Sequence, residues 1–168
     1  MIELRKANLK DAKAEYDLLQ KIPAEENGLN NNAHGLTYEE FKNDFLPTWL
    51  AYEKGKKLPE GYVPCTHYFL WVDDTPVGYY SLRHRLNDNL RNGAGHIGYG
   101  IAKEYRGKGY ATKGLELLLK KAKKLPLDTP EAYLSSLKSN PASFRVMQKN
   151  GGYLHHEDDA RYYTRIPL

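Results

Sequence analysis

Only one cysteine, Cys65, occurs in the 168 residues, so no internal disulfide can form. That scarcity reads as a reducing, cytoplasmic compartment. No run of about 18 consecutive apolar residues exists, which leaves no candidate membrane span. The N-terminal M-I-E-L-R-K-A lacks the apolar core of a signal peptide. Two phosphate-binding signatures are also missing. Gly109 and Gly114 have the spacing of a nucleotide-hydrolysing P-loop, but Leu115 stands where a Lys is required. Gly95, Gly98 and Gly100 give G-x-x-G-x-G, not the G-x-G-x-x-G of a dinucleotide fold. There is no internal repeat, long linker or low-complexity tract.

What is present describes a globular chain. Hydrophobic residues make up 40% and charged residues 27%, a balance that excludes wholesale disorder. The length suits one domain, residues 1–168, large enough to bury a core. A net charge of +4 favours anionic ligands without establishing a nucleic-acid partner. Tyrosine is abundant, with 14 copies; it serves a cleft lined by hydroxyls or ordinary amphipathic packing.

The most informative stretch is G-H-I-G-Y-G-I-A-K-E-Y-R-G-K-G-Y-A, residues 95–111. A strand-like run ends in a turn of Arg106, Gly107, Lys108 and Gly109. A helix then opens at Tyr110, with Ala111, Leu115, Leu118, Leu119 and Ala122 on one face and lysines on the other. Helix N-termini carry free N–H groups and partial positive charge, and glycines let a ligand approach the backbone. The segment is built to hold a phosphate, although such a turn is often only a turn.

Periodicity and capping signals lay out the rest. Ile2–Arg5 reads as a strand, and Asn8 caps a helix running to about Ile22. Thr37–Glu40 reads as a capping box opening a helix to about Lys54. Strands are expected at His67–Val72, Val77–Leu86, His96–Ala102 and Ala132–Leu137. Asn87–Gly93 reads as a polar loop. Asn140-Pro141 marks a helix start and Gly151 its C-cap. Gly152–His156 and Arg161–Ile166 close the chain as a hairpin. The order β-α-α-β-β-β-α-β-α-β-β implies an α+β domain on one mixed sheet of about seven strands, flanked by about four helices.

This order and two motifs resemble the Gcn5-related N-acetyltransferase (GNAT) family. R-G-K-G-Y-A fits that family's Q/R-x-x-G-x-G/A signature. N-P-A-S-F-R-V-M-Q-K-N-G-G-Y, residues 140–153, is similar to its segment after the fifth strand. The resemblance implies a splay between the fourth and fifth strands and acetyl-coenzyme A as co-substrate, with no metal. It implies that Tyr99 and Ile101 offer backbone groups to the pantetheine arm. Arg106, Gly107, Lys108, Gly109, Tyr110 and Ala111 would wrap the pyrophosphate, and Asn140 would bind from across the splay. Tyr99 and Ile101 also suit a core role, and Asn140 a plain helix cap.

On the same resemblance, His96, at the start of the fourth strand, is the candidate base, since imidazole titrates near neutrality. A histidine held by a backbone partner is the competing reading. Many relatives carry a Tyr as general acid where this chain has Met147, which donates no proton. Ser143 is the candidate in its place, with Tyr153 or direct loss of the thiolate as alternatives. Cys65 has no base beside it. Glu25 and Glu26 fall where the family shapes its acceptor pocket, and with Glu39, Glu40 and Asp44 could attract a cationic amine. The cluster His155–Asp159 matches no metal spacing. The expected activity is acetyl transfer to a primary amine, on a peptide N-terminus, a polyamine or another small molecule. A homodimer is left open and no membrane partner is expected. A non-catalytic coenzyme A-binding regulator and a basic nucleic-acid-binding module are the alternatives.

Overall fold

In chain order the computed structural model, which describes residues 1–168, contains β1 (Ile2–Lys6), α1 (Ala12–Gln20), β2 (Glu25–Glu26), β3 (Leu29–Asn30), α2 (Tyr38–Glu40), α3 (Leu46–Glu53), β4 (Cys65–Val72), β5 (Thr75–Arg83), α4 (Asp88–Arg91), β6 (Ile97–Ile101), α5 (Tyr110–Ala122), β7 (Glu131–Leu137), α6 (Pro141–Lys149), β8 (Tyr153–Glu157) and β9 (Arg161–Pro167). All seven expected strands form. Three details differ from the sequence reading. Residues 25–30 pair as a small hairpin of β2 and β3. The stretch read as a polar loop holds α4, because the Asn87 side chain accepts from Leu90 N and caps a turn. The expected helix from Thr37 has its capping box, with Thr37 and Glu40 bonding reciprocally. It is interrupted, however, by a π-helical stretch at Phe41–Phe45. Pro47 is the physical reason: it has no N–H for the carbonyl one turn back, and its ring crowds that carbonyl, so the preceding turn widens.

The sheet is opened into two leaves. One has the order β1-β4-β5-β6 and the other β7-β9-β8, and every ladder within them is antiparallel. Backbone pairing between the leaves is confined to a bridge between Gly95 and Leu134 and the bond from His96 N to Tyr133 O, 2.7 Å. From that joint β6 and β7 lead away side by side without pairing. The splay thus falls between the fourth and fifth of the expected strands.

His96 is the rivet of this joint. It is fully buried; its Nδ1 accepts from Tyr133 N at 3.0 Å, and its Nε2 faces Asp128 Oδ1 at 3.2 Å. An Nδ1 that accepts a backbone N–H carries no proton, so Nε2–H donates to the carboxylate. Burial holds the ring below its ordinary pKa, against the pull of Asp128. With both nitrogens engaged within the protein, His96 has no site for a substrate proton. Its expected role as base is corrected to that of a strut between leaves.

Two apolar layers cover the sheet. On one face α5 and α6 bury Leu115, Leu118, Leu119 and Met147 against Leu70, Tyr80, Leu82 and Leu134. On the other, α1 and the α2–α3 segment bury Leu18, Leu19, Phe41 and Leu46 against Phe69, Trp71 and Tyr79. Each buried Leu or Phe contributes about 1.5–3 kcal/mol of transfer free energy. Gly114 lets α5 sit against β5: a Cβ there would overlap Tyr80 Oη, and Tyr80 is itself fully buried with its hydroxyl donating to Ala111 O.

Two outcomes follow from these contacts. Gly114→Ala gains about 1 kcal/mol of helix propensity but overpacks Tyr80 at a cost of about 1–3 kcal/mol. A net loss in denaturant midpoint is expected; a stabilised variant contradicts the packing. For His96, the unfolded ring takes a proton near pH 6.5 while the folded ring resists it. Its contribution to stability is therefore present above about pH 6.5 and lost as pH falls toward the lower folded value. His96→Ala should destabilise by about 1–3 kcal/mol through the orphaned Tyr133 N–H and flatten the pH dependence of unfolding in that window.

Candidate active site

The splay creates unpaired backbone. In an antiparallel ladder the bonded pairs alternate. The bonds Arg83 N to His96 O and Ala102 N to Val77 O fix the phase. The N–H and C=O groups of Ile97, Tyr99 and Ile101 therefore point away from β5 and into the gap. Ile101 O accepts from Arg106 Nε at 2.9 Å. Around the gap lies a cavity of about 760 Å³. Its walls are β5, β6, β7, the β2–β3 hairpin, the turn at 106–109 and one face of α6.

The turn supplies more donors than it uses. The six consecutive N–H groups of residues 107–112 have no acceptor in the protein; bonding resumes with Lys113 N to Gly109 O. Gly107 and Gly109 have φ of +79° and +80°, values that strain any residue with a Cβ, and a Cβ at either would meet only open space. The resulting curl leads into the N-terminus of α5. Gly107, Gly109, Tyr110 and Ala111 line the cavity, and Lys108 is exposed outside it. Arg106 lines it too, but its guanidinium is turned back onto Ile101 O and the Glu26 carboxylate. The backbone, not that side chain, is what this turn offers an anion.

Across the gap, Asn140 precedes α6 without capping it: its side chain makes no cap hydrogen bond and lines the cavity instead. The capping expected of it is corrected: no first-turn N–H donates to its side chain, and only its backbone carbonyl accepts, from Ser143 N at 3.2 Å. Ser143, one turn on, meets Tyr99 from β6: Ser143 Oγ and Tyr99 Oη are 2.8 Å apart, and Tyr99 also reaches Ser143 O at 3.1 Å. Burial raises the Tyr99 pKa to about 12, so its hydroxyl keeps its proton. Ser136 Oγ is buried on this wall without any partner. An amide-bearing ligand in the gap would find partners here and along β6. Met147 is 1% exposed in the core, away from the cavity wall.

On the opposite sheet face, strand phase brings Tyr79, Ser81 and Arg83 to the cavity together. Tyr79 Oη bonds His67 Nδ1 at 2.8 Å, and His67 stacks on Trp49 with ring centroids 3.8 Å apart. Burial, with Arg83 adding to it, pushes His67 down to about 3, so the ring stays neutral. Sequence reading missed Tyr79, His67 and Arg83. The signal is the i, i+2 spacing in Y-Y-S-L-R, which puts Tyr79, Ser81 and Arg83 on one face of the expected strand at 77–86.

The expected acidic acceptor pocket does not form. Of Glu25, Glu26, Glu39, Glu40 and Asp44, only Glu26 lines the cavity, and it is paired with Arg106. Glu25 is exposed on β2, and Glu40 is spent on the Thr37 capping box. Cys65, raised to about 11 by burial, is not a thiolate at neutral pH. Tyr153 is exposed and donates to Glu131, outside the cavity. No group of three His, Cys, Asp or Glu is placed to hold a metal ion, and no helix is long and apolar enough to cross a membrane.

Several comparisons bear on this architecture. The structure of a ribosomal L7/L12 alpha-N-protein acetyltransferase, RimL, in complex with coenzyme A is 21% identical, covering 99% of this chain and 94% of that one, with a TM-score of 0.71. A ribosomal-protein-S5-alanine acetyltransferase from Vibrio fischeri is 18% identical, covering 99% and 92%, with a TM-score of 0.68. A spermidine N-acetyltransferase SpeG chimera from Vibrio cholerae and hSSAT is 16% identical, covering 99% and 95%, with a TM-score of 0.62. At these identities the likeness establishes the fold. No curated protein matches the chain. The family model described as acetyltransferase (GNAT) domain matches residues 2–152. With that match spanning nearly its whole length, the chain belongs to the GNAT acetyltransferase family.

Proposed function

We propose that this protein transfers an acetyl group from acetyl-coenzyme A directly to a primary amine. The observation that carries the reading is the run of six unpaired N–H groups at 107–112, which opens onto a gap lined by unpaired strand backbone. A pyrophosphate satisfies the first set, and the amides of a pantetheine arm satisfy the second. Asn140 and Ser136 supply side-chain partners from the β7–α6 side.

Acetyl-coenzyme A supplies an activated thioester, so the protein has only to orient an amine and manage protons. The Ser143 hydroxyl, held by Tyr99 in the first turn of α6, would donate a hydrogen bond to the departing sulfur. On the acceptor face Tyr79 Oη, anchored by its hydrogen bond with His67 Nδ1, orients the amine. No free carboxylate or exposed imidazole lines the cavity, so the amine sheds its proton to solvent.

A second reading, a coenzyme A-binding regulator without catalysis, is favoured by one observation: the residues where relatives place an acid and where a base was expected are here core and strut, Met147 and His96. A nucleic-acid role finds less support, because Lys113 and Lys120 on α5 both pair with Glu116.

Two variants separate these readings. Gly109→Glu places a Cβ at φ +80° and a carboxylate in the anion seat. Calorimetric coenzyme A affinity should fall by more than about ten-fold; unchanged affinity contradicts the pyrophosphate seat. Ser143→Ala should bind coenzyme A as before and release free thiol at least about ten-fold more slowly with an amine present. If the wild type releases no thiol with any amine yet binds the coenzyme, the regulator reading stands.

A further inference from the structure

The charges of the cavity are nearly all of one sign. Arg83, Arg106, Arg145, Lys149 and Arg161 line it, against the single carboxylate of Glu26, which Arg106 already neutralises. Three of these cations flank the coenzyme seat: Arg106 in the turn, and Arg145 and Lys149 one helical turn apart on α6. Arg83 and Arg161 are placed differently. Arg83 shares its strand face with Tyr79 and Ser81, the face that packs toward α1 and α3. Arg161, at the start of β9, reaches Ser135 Oγ at 3.5 Å and lies against Gly28 of the β2–β3 hairpin. Both therefore stand on the acceptor side, with the sheet between them and α5.

Neither guanidinium has a carboxylate within salt-bridge distance. Arg83 uses one N–H on Gly95 O at 3.1 Å, and Arg161 spends one on the long contact to Ser135. A guanidinium has five donors, and both residues are half-buried. Removing such a group from water without an anionic partner is unfavourable, and its planar fork matches a carboxylate. Gly28 has no side chain where Arg161 Nη2 would lie 3.3 Å from a Cβ, so the hairpin leaves that guanidinium room.

We infer that the acceptor is a primary amine carrying a carboxylate near the amine, held by Arg83 and Arg161, and not a polycationic amine. The inference rests on the acetyl-transfer reading and narrows it. It also reverses the sequence expectation, in which acids drew in a cation. A free amino acid and an acid-rich peptide N-terminus present the same chemistry, and the test separates them.

The test uses the full chain with acetyl-coenzyme A and a panel of amines: free glutamate, a tetrapeptide with acidic second and third residues, the amidated counterpart of each, and spermidine. Thiol release gives kcat/KM, and calorimetry on the coenzyme-loaded protein gives binding. At least one acidic amine should be preferred over its amide by about ten-fold or more, with spermidine poorest. Whichever acidic amine is preferred names the source of the carboxylate. In Arg83→Gln and Arg161→Gln that ratio should fall toward one, chiefly through KM, while coenzyme A affinity, measured separately, reports an intact fold. A preference for spermidine or the amides overturns the inference and leaves acetyl transfer standing. If nothing is acetylated but an acidic amine binds more tightly than its amide, the anionic site stands and the transfer reading falls. If nothing is acetylated and acid and amide bind alike, both fall.

Discussion

Two neighbouring strands that touch once and then part are the constraint on which this protein depends. Buried backbone N–H and C=O groups demand partners, and the inner edges of β6 and β7 find none in each other beyond Gly95, His96, Tyr133 and Leu134. His96 pins the apex with both ring nitrogens. Everything beyond the apex is organised by the need to satisfy that edge. The turn at 106–109, the open N-terminus of α5, the uncapped Asn140 and the orphaned Ser136 hydroxyl all border the same gap. Separately each is a small local irregularity; around one cavity they support the proposed seat for a long ligand rich in amides and phosphate.

The two faces of the sheet divide the work. On the α5–α6 face lie the helix N-terminus and the Tyr99–Ser143 pair, which suit an anionic coenzyme and its sulfur. On the opposite face lie Tyr79 with its buried His67 partner, and Arg83 and Arg161 at the wall. On the proposed reading the gap, passing between the leaves, lets an acyl group carried from the first face meet an amine held on the second. Charge alone does not assign the faces, since both are basic. Strand phase does: Tyr79, Ser81 and Arg83 alternate with Tyr80 and Leu82, which are committed to the core beneath α5.

Much of this was legible in the chain, for reasons tied to particular residues. The helix of residues 110–122 announced itself through 3.6-residue periodicity, and its start through the paired glycines. Capping chemistry at Asn8 and Thr37, and a proline at the first helical position at Pro141, placed helix starts close to where they occur. What escaped depends on contacts distant in sequence. Nothing within I-G-Y-G-I shows that His96 meets Tyr133 and Asp128, 37 and 32 residues away. The acids between the first helices resembled an acceptor pocket only because sequence could not show Glu26 folding onto Arg106, 80 residues on. The π-helical stretch before Pro47 reflects a conflict between a sound capping box at Thr37 and a proline ten residues further on, which periodicity does not rank.

Backbone hydrogen exchange resolved along residues 107–112, with and without coenzyme A, tests the central claim most directly. These amides have no acceptor within the protein, so they should exchange rapidly in the free chain. Saturating coenzyme A should protect them, together with Tyr99 on the open edge of β6. Binding that leaves the exchange of 107–112 unchanged, or protects only residues away from the gap, would contradict the account.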